Sequence, residues 1–163
     1  MSAEPSAWRS DMVSLTNGGF VMQVREVMTP RSQASYLDMD ASIREVAEKM
    51  QQDGSGFEPL VQGDKIAGTV TDRDIAVRAV AEGKSPDDKV SSIATTSVLY
   101  TFEDKDVKDV LQNMREQKVQ RLVVLNNASD KDFTGILSLG DIANRCEDDE
   151  AAKGIVGCCK HYH

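Results

Sequence analysis

The 163-residue chain reads as a mixed α/β protein built from two tandem copies of one strand-helix-strand-strand-helix unit. Three observations predict this. The octapeptide Gly68-Thr69-Val70-Thr71-Asp72-Arg73-Asp74-Ile75 returns as Gly135-Ile136-Leu137-Ser138-Leu139-Gly140-Asp141-Ile142. Two amphipathic stretches share one pattern, with Ile43, Val46, Ala47 and Met50 matched by Val107, Val110, Leu111 and Met114, each set at the i, i+3, i+4, i+7 spacing of a helix with one buried face. Each stretch precedes two short apolar runs joined by a turn, 57–61 with 66–71 and 121–125 with 134–138.

In chain order, residues 1–23 form an N-terminal extension. Asn17-Gly18-Gly19 marks a turn or linker there, and two readings stand: a short helix over 5–12 with Trp8 packed on the body, or an unstructured leader. The first repeat, 24–83, opens with Val24-Arg25-Glu26-Val27-Met28-Thr29-Pro30; the second, 84–147, reaches its matching stretch at Val90-Ser91-Ser92-Ile93-Ala94-Thr95-Thr96. Acidic turns at 38–40 and 103–106 precede the amphipathic helices. Ser42 with Glu45 fits a capping box at the first helix, and Asp104 or Asp106 caps the second. The hairpin turn of the first repeat centres on Gly63-Asp64, and that of the second spans 126–131, longer by three residues. Each repeat closes with a helix, 72–82 ended by Gly83 and 140–147, and a C-terminal tail covers 148–163. A unit of about sixty residues with few aromatics buries too little surface alone, so the repeats are expected to pack as a pseudo-twofold pair through their sheets and share a core.

Composition excludes several functions. Lys plus Arg is 19 against 27 Asp plus Glu, a net charge of −8 with no basic stripe, which argues against a nucleic-acid partner because a polyanion needs clustered cations. A small anion needs only one or two well-placed arginines. No apolar run is long enough to span a bilayer and the start of the chain lacks a basic, hydrophobic leader, so no membrane association and a cytoplasmic location are expected. Cys146, Cys158 and Cys159 all fall in the last eighteen residues and form no disulfide framework. The tail Cys158-Cys159-Lys160-His161-Tyr162-His163 gathers four metal-ligand side chains in six residues, but its spacing is not that of a preorganised zinc site, and a loosely docked end is expected. Both histidines lie in that tail, so the repeats can assemble no Ser/His/Asp or Cys/His set, and the chain is not expected to be an enzyme or to need a resident cofactor.

The repeated junctions carry the chemistry. Thr71 with Asp74, and Ser138 with Asp141, stand where a strand passes into a helix. Free N–H groups and the helix dipole favour phosphate there, and a carboxylate accepts hydrogen bonds from two ribose hydroxyls. The same Thr/Ser-x-x-Asp spacing is also a capping box, and the two roles are compatible at one hydroxyl. Met50 and Met114 are read as core, and the acidic run 147–150 as a solvated helix end or tail.

From these residues, chiefly Gly68 to Ile75 supported by the Val-x-x-Val-Met-Thr-Pro opening, residues 24–147 resemble a tandem pair of CBS domains, the family named after cystathionine beta-synthase, in the arrangement called a Bateman module. Over Gln120-Arg121-Leu122-Val123-Val124 and 135–142 the second repeat resembles the last repeat of the γ subunit of AMP-activated protein kinase. The resemblance implies a regulatory ligand carrying adenosine (AMP, ADP, ATP or S-adenosylmethionine) held in clefts between the repeats. It implies that Asp74 and Asp141 accept from ribose, that Thr71 and Ser138 donate to phosphate, and that Arg73 and Arg121 supply phosphate-facing cations. Gly140 replaces the first copy's Arg73, and Phe57 stands where the second copy has Arg121, so the two sites are not equivalent. Base contacts are expected from main chain at 33–36 with 55–58, and at 97–99 with 119–121, which brings in Leu99, Val119 and Gln120. Glu58 departs from an apolar strand position, and a carboxylate aimed into the first cleft would oppose phosphate.

Two functions follow: a nucleotide sensor, expected as a homodimer, that reports ligand state to a downstream protein through conformation or assembly; or a ligand-free dimerisation and interaction scaffold that presents its terminal extensions. A redox or metal sensor on the cysteine tail is the third reading.

Overall fold

The computed structural model describes residues 22–145 and 149–160, the side chain of Glu150 apart. The 1–21 part of the extension, residues 146–148 and the terminal 161–163, including both histidines, lie outside the described residues. The chain forms two compact units. Unit I is Gln33–Val98; unit II joins the chain through Ser32 to the chain from Leu99 onward.

Unit I holds a three-stranded sheet in the order β2 (Leu37–Asp38), β3 (Phe57–Gln62), β4 (Lys65–Thr71), with β2 parallel to β3 and β3 antiparallel to β4. Helix α2 (Ile43–Asp53) begins at Ser42, whose hydroxyl accepts from Glu45 N while Glu45 reaches back to Ser42 N, the capping box read from the sequence. It ends at Gly54 with φ +62°, the left-handed conformation that glycine adopts at no steric cost. Ile43, Val46 and Met50 meet Leu60, Val70, Ala79, Val90 and Ile93 in one buried cluster. Val90 and Ile93 flank a 3-10 turn at Val90–Ser92, and Thr95 bridges Thr69 of β4.

Unit II repeats this plan with a four-stranded sheet in the order β1 (Thr29–Pro30), β7 (Phe133–Ser138), β6 (Arg121–Leu125), β5 (Tyr100–Phe102). Helix α1 (Val24–Val27) leads into β1, and α4 (Val107–Gln117) starts at Asp106, whose carboxylate accepts from Lys108 N. Val24, Val27 and Met28 are buried with Val107, Val110, Leu111, Met114, Leu122 and Leu137. The opening stretch of the first repeat is therefore packed on the body of the second, and 90–95, the matching stretch of the second, on the body of the first. Sequence repeat and compact unit do not coincide.

Two elements differ from expectation. The closing helix of the first repeat is not one α-helix over 72–82: α3 (Asp72–Asp74) widens at once into a π-helix, Ile75–Val80, before Gly83 at φ +70°. The wide turn buries Ala79 but leaves Val77 and Val80 exposed, at 52% and 73%. Among the described residues, 149–160 are not a loose tail: α5 (Leu139–Arg145) is followed by α6 (Asp149–Cys159), which packs on α4 with Ala151 and Cys158 buried. A Cβ on Gly154 would meet Leu111 Cδ2 at 2.5 Å, so the missing side chain is what lets α6 approach. Cys158 Sγ faces the Leu111 carbonyl at 3.9 Å, and burial, with the neighbouring Cys159 thiol, pushes the Cys158 thiol pKa up.

Candidate functional site

Each unit presents one strand-to-helix junction of the kind the octapeptides predict. In unit I the Thr71 hydroxyl donates to Asp74 Oδ2 at 2.7 Å, the same oxygen accepts from Thr71 N at 2.9 Å, and Asp74 N donates to Thr71 Oγ1 at 3.1 Å. In unit II the Ser138 hydroxyl donates to Asp141 Oδ2 at 2.6 Å, Ser138 N donates to it at 2.8 Å, and Asp141 N donates to Ser138 Oγ at 3.1 Å. Both pairs are capping boxes, so the structural reading of the motif is realised twice. The single hydroxyl hydrogen of each Thr or Ser is committed to its aspartate. A phosphate that recruits it must turn it away from the carboxylate.

The second carboxylate oxygens separate the two sites. Asp141 Oδ1 accepts from Thr29 Oγ1 at 3.1 Å. Asp74 Oδ1 instead pairs with Arg78 Nε at 3.4 Å, and Arg78 Nη1 donates to Ile93 O at 3.0 Å and Thr95 Oγ1 at 3.1 Å. Thr95 bridges Thr69 as Thr29 pairs with Ile136, so equivalent threonines serve the two junctions. One touches its aspartate directly, and the other reaches it through an arginine. Sequence reasoning missed both Thr29 and Arg78. The repeat alignment did contain a signal, since Thr29 matches Thr95 and Arg78 matches Arg145.

The ladders place the remaining candidates. Arg121 pairs directly opposite Ser138, and Phe57 directly opposite Thr71, so the cross-strand neighbour is an arginine at the second junction and a phenylalanine at the first. Gln120 joins the second junction through its carbonyl, which accepts from Leu139 N at 3.0 Å. Leu99 gives its carbonyl to Val123 N and Val119 its amide to the Met114 carbonyl; both are half-buried against the unit II core. Those main-chain groups are therefore already paired. Arg73 is exposed next to Asp74, and its own amide donates to Asp72 Oδ1 at 2.7 Å.

Acidic neighbours weigh on unit I. A Cβ on Gly56 would meet Asp72 Oδ2 at 2.6 Å, so Asp72 lies across the start of β3. Glu58 is fully buried, and neither carboxylate oxygen has a hydrogen-bond partner. Burial first, then the Asp53 charge, push its pKa up against the opposing pull of the Ser35 hydroxyl and Lys49. Leu122, also buried, holds the corresponding place in unit II. Unit II has Arg121 in place of Phe57 and Leu139 in place of Asp72, against Gly140 in place of Arg73, so the formal charge of these three positions is +1 in unit II and 0 in unit I.

No three potential metal ligands gather among the described residues, where Cys158 is buried and Cys159 exposed, and no helix there is long and apolar enough to cross a membrane.

The sequence model of the CBS domain matches residues 24–80 and 90–148, so the chain belongs to the CBS domain family and carries a pair of these domains. It is 30% identical over 133 residues to the CBS domain-containing protein YhcV of Bacillus subtilis, covering 81% of this chain and 91% of that one. Its fold is similar to that of the CBS domain protein PAE2072 from Pyrobaculum aerophilum complexed with AMP (TM-score 0.67, 22% identity, 83% of this chain and 98% of that chain). It is also similar to the CBS domain pair of MJ0100 in complex with 5-methylthioadenosine and S-adenosyl-L-methionine (TM-score 0.64, 23% identity, 76% and 94%).

Proposed function

We propose that the chain is a regulatory module that binds an adenosine-bearing ligand and reports ligand state through conformation or assembly. The observation that carries this reading is the register that sets Arg121 opposite Ser138, whose hydroxyl is bonded to Asp141; in this reading the three serve as a cation for phosphate, a hydroxyl beside it and a carboxylate for ribose. The unit I junction, with Thr71, Arg73 and Asp74, is the weaker anion site because Asp72 lies against it. Related folds in complex with AMP, and with 5-methylthioadenosine and S-adenosyl-L-methionine, support the ligand class. The role is binding rather than catalysis. Ligand shifts the population of two conformations by its difference in affinity for them, and a protein partner reads that shift, in the cytoplasm and as a homodimer.

Calorimetric titration with AMP, ADP, ATP and S-adenosylmethionine tests the reading. Binding is expected, weakened most by Asp141→Ala and less by Asp74→Ala. Absence of binding at millimolar ligand, or wild-type binding by both variants, overturns it.

The exposed Val77 and Val80 of the π-helix favour a second reading, a ligand-free scaffold that associates through this apolar face. A scaffold leaves the melting temperature unmoved by any nucleotide, whereas a sensor raises it.

A further inference from the structure

Glu58 is the one fully buried charged side chain among the described residues, and it occupies the core-facing place that leucine fills in the other repeat. Carboxylates are rarely sealed from water without donors, and an unsatisfied one calls for an explanation in function. A second orphan lies beside it. The Ser35 hydroxyl is also shut away from solvent without a partner, near enough to Glu58 to act on its charge but not aligned with it in a formed hydrogen bond.

The surroundings of Glu58 come from three elements. β4 places Val70 directly across the ladder and offers no charge. Helix α2 contributes Lys49 and Asp53, which are paired with each other at 2.9 Å, so the cation is already largely spent. The 33–36 segment contributes Ser35. An ionised Glu58 therefore faces burial and the Asp53 charge with only an already paired lysine to offset them, and a neutral one has beside it the Ser35 hydroxyl, which also acts on Asp53.

We propose that Glu58 is a proton-linked latch on the 33–36 segment and so regulates the unit I ligand site. Protonated, the carboxyl shares its hydrogen with Ser35 and holds the segment against the start of β3. Ionised, it draws water in and releases the segment. The inference rests on the nucleotide reading only for what is regulated, because 33–36 and 55–58 are the stretches expected to meet the base. It also gives the carboxylate a role: held neutral, Glu58 does not repel phosphate, and ionised, it does.

The test has two arms on the full chain. Amide resonances of residues 33–36 are followed by NMR from the ordinary glutamate range up to the alkaline limit of folding, without ligand, in wild type, Glu58→Gln and Ser35→Ala. A common titration in wild type, absent in Glu58→Gln and displaced in Ser35→Ala, is expected. Flat shifts, or the same titration in Glu58→Gln, overturn the latch. In the second arm AMP is titrated calorimetrically below and above the titration midpoint found in the first arm, into an Asp141→Ala background, which isolates the unit I site. A severalfold loss of affinity at the higher pH is expected with Glu58 present and not in Glu58→Gln. Equal losses overturn the regulatory role, and no AMP binding in either protein at either pH overturns the nucleotide reading of unit I while the first arm still decides the latch.

Discussion

Thr29 Oγ1 donates to Asp141 Oδ1 at 3.1 Å and so joins residues 112 positions apart, one on β1 and one in the first turn of α5. The contact fixes the carboxylate from the side opposite its cap, leaving Asp141 with one oxygen held by Ser138 and the other by Thr29. In the proposed site a ribose hydroxyl would share or replace the threonine's bond, a like-for-like exchange of one hydroxyl donor for another. The unit I counterpart is harder to displace, because Arg78 binds Asp74, Ile93 and Thr95 at once.

Arg121→Gln separates phosphate from nucleoside recognition. A charge-assisted hydrogen bond contributes about 1.5–3 kcal/mol, so AMP affinity is expected to fall roughly ten- to hundredfold while adenosine affinity barely changes. Parallel calorimetric titrations of the two ligands read the difference.

Gly135 and Gly68 occupy equivalent places but differ in consequence. A Cβ at 135 would fall on the Thr29 carbonyl, whereas one at 68 would stand 3.2 Å from the Thr95 carbonyl. Gly135→Ala is therefore expected to pry β1 off β7, lowering stability by about 1–3 kcal/mol and loosening Thr29 from Asp141, with a smaller loss for Gly68→Ala. Urea unfolding measures both.

The two 11-residue helices α2 and α4 end alike in the left-handed region, at Gly54 with φ +62° and Lys118 with φ +57°. A lysine there carries a steric cost that glycine avoids. Lys118→Gly is expected to stabilise by about 0.5–1 kcal/mol, seen as a higher melting temperature with nucleotide binding intact.

Glu58 gives stability a pH dependence of definite sign. Its folded pKa is raised by burial, so the folded chain holds a proton that the unfolded chain releases. Stability is full below the usual glutamate range and is lost as pH rises from there through the raised value. Glu58→Leu, which repeats the residue at 122, is expected to flatten this part of the melting-temperature profile and to melt higher than wild type on its alkaline side.

Much of this fold was legible because the chain states it twice. The helical periods at Ile43 and Val107, the Ser42 and Asp106 caps, the strand pairs and both junctions follow from local pattern, and each copy checks the other. Arg121 opposite Ser138 was also within reach, since hairpin register follows from the alternation of apolar residues. Three features were not. The π-helix after Asp74, which buries Ala79 while Arg78 reaches Ile93 and Thr95, matches no period in 75–80. Helix α6 was hidden by Gly154 and Gly157, which weaken helix propensity by about 1 kcal/mol each yet permit close docking on Leu111 and Arg115. The Thr29 contact depends on a segment leaving its own repeat for the other, and no local pattern encodes such an exchange.

That exchange has a consequence for how the polypeptide is made and cut. On the ribosome, residues 33–83 must wait for the stretch around Thr95 before their cluster closes, and the strand at 29–30 stays without its partner until Phe133–Ser138 has emerged. A fragment ending between the repeats, at residue 84, would carry an orphaned leading arm and an unfilled socket. The natural point of division is not the boundary between the two copies, and severing the protein there yields halves that each lack what the other carries away.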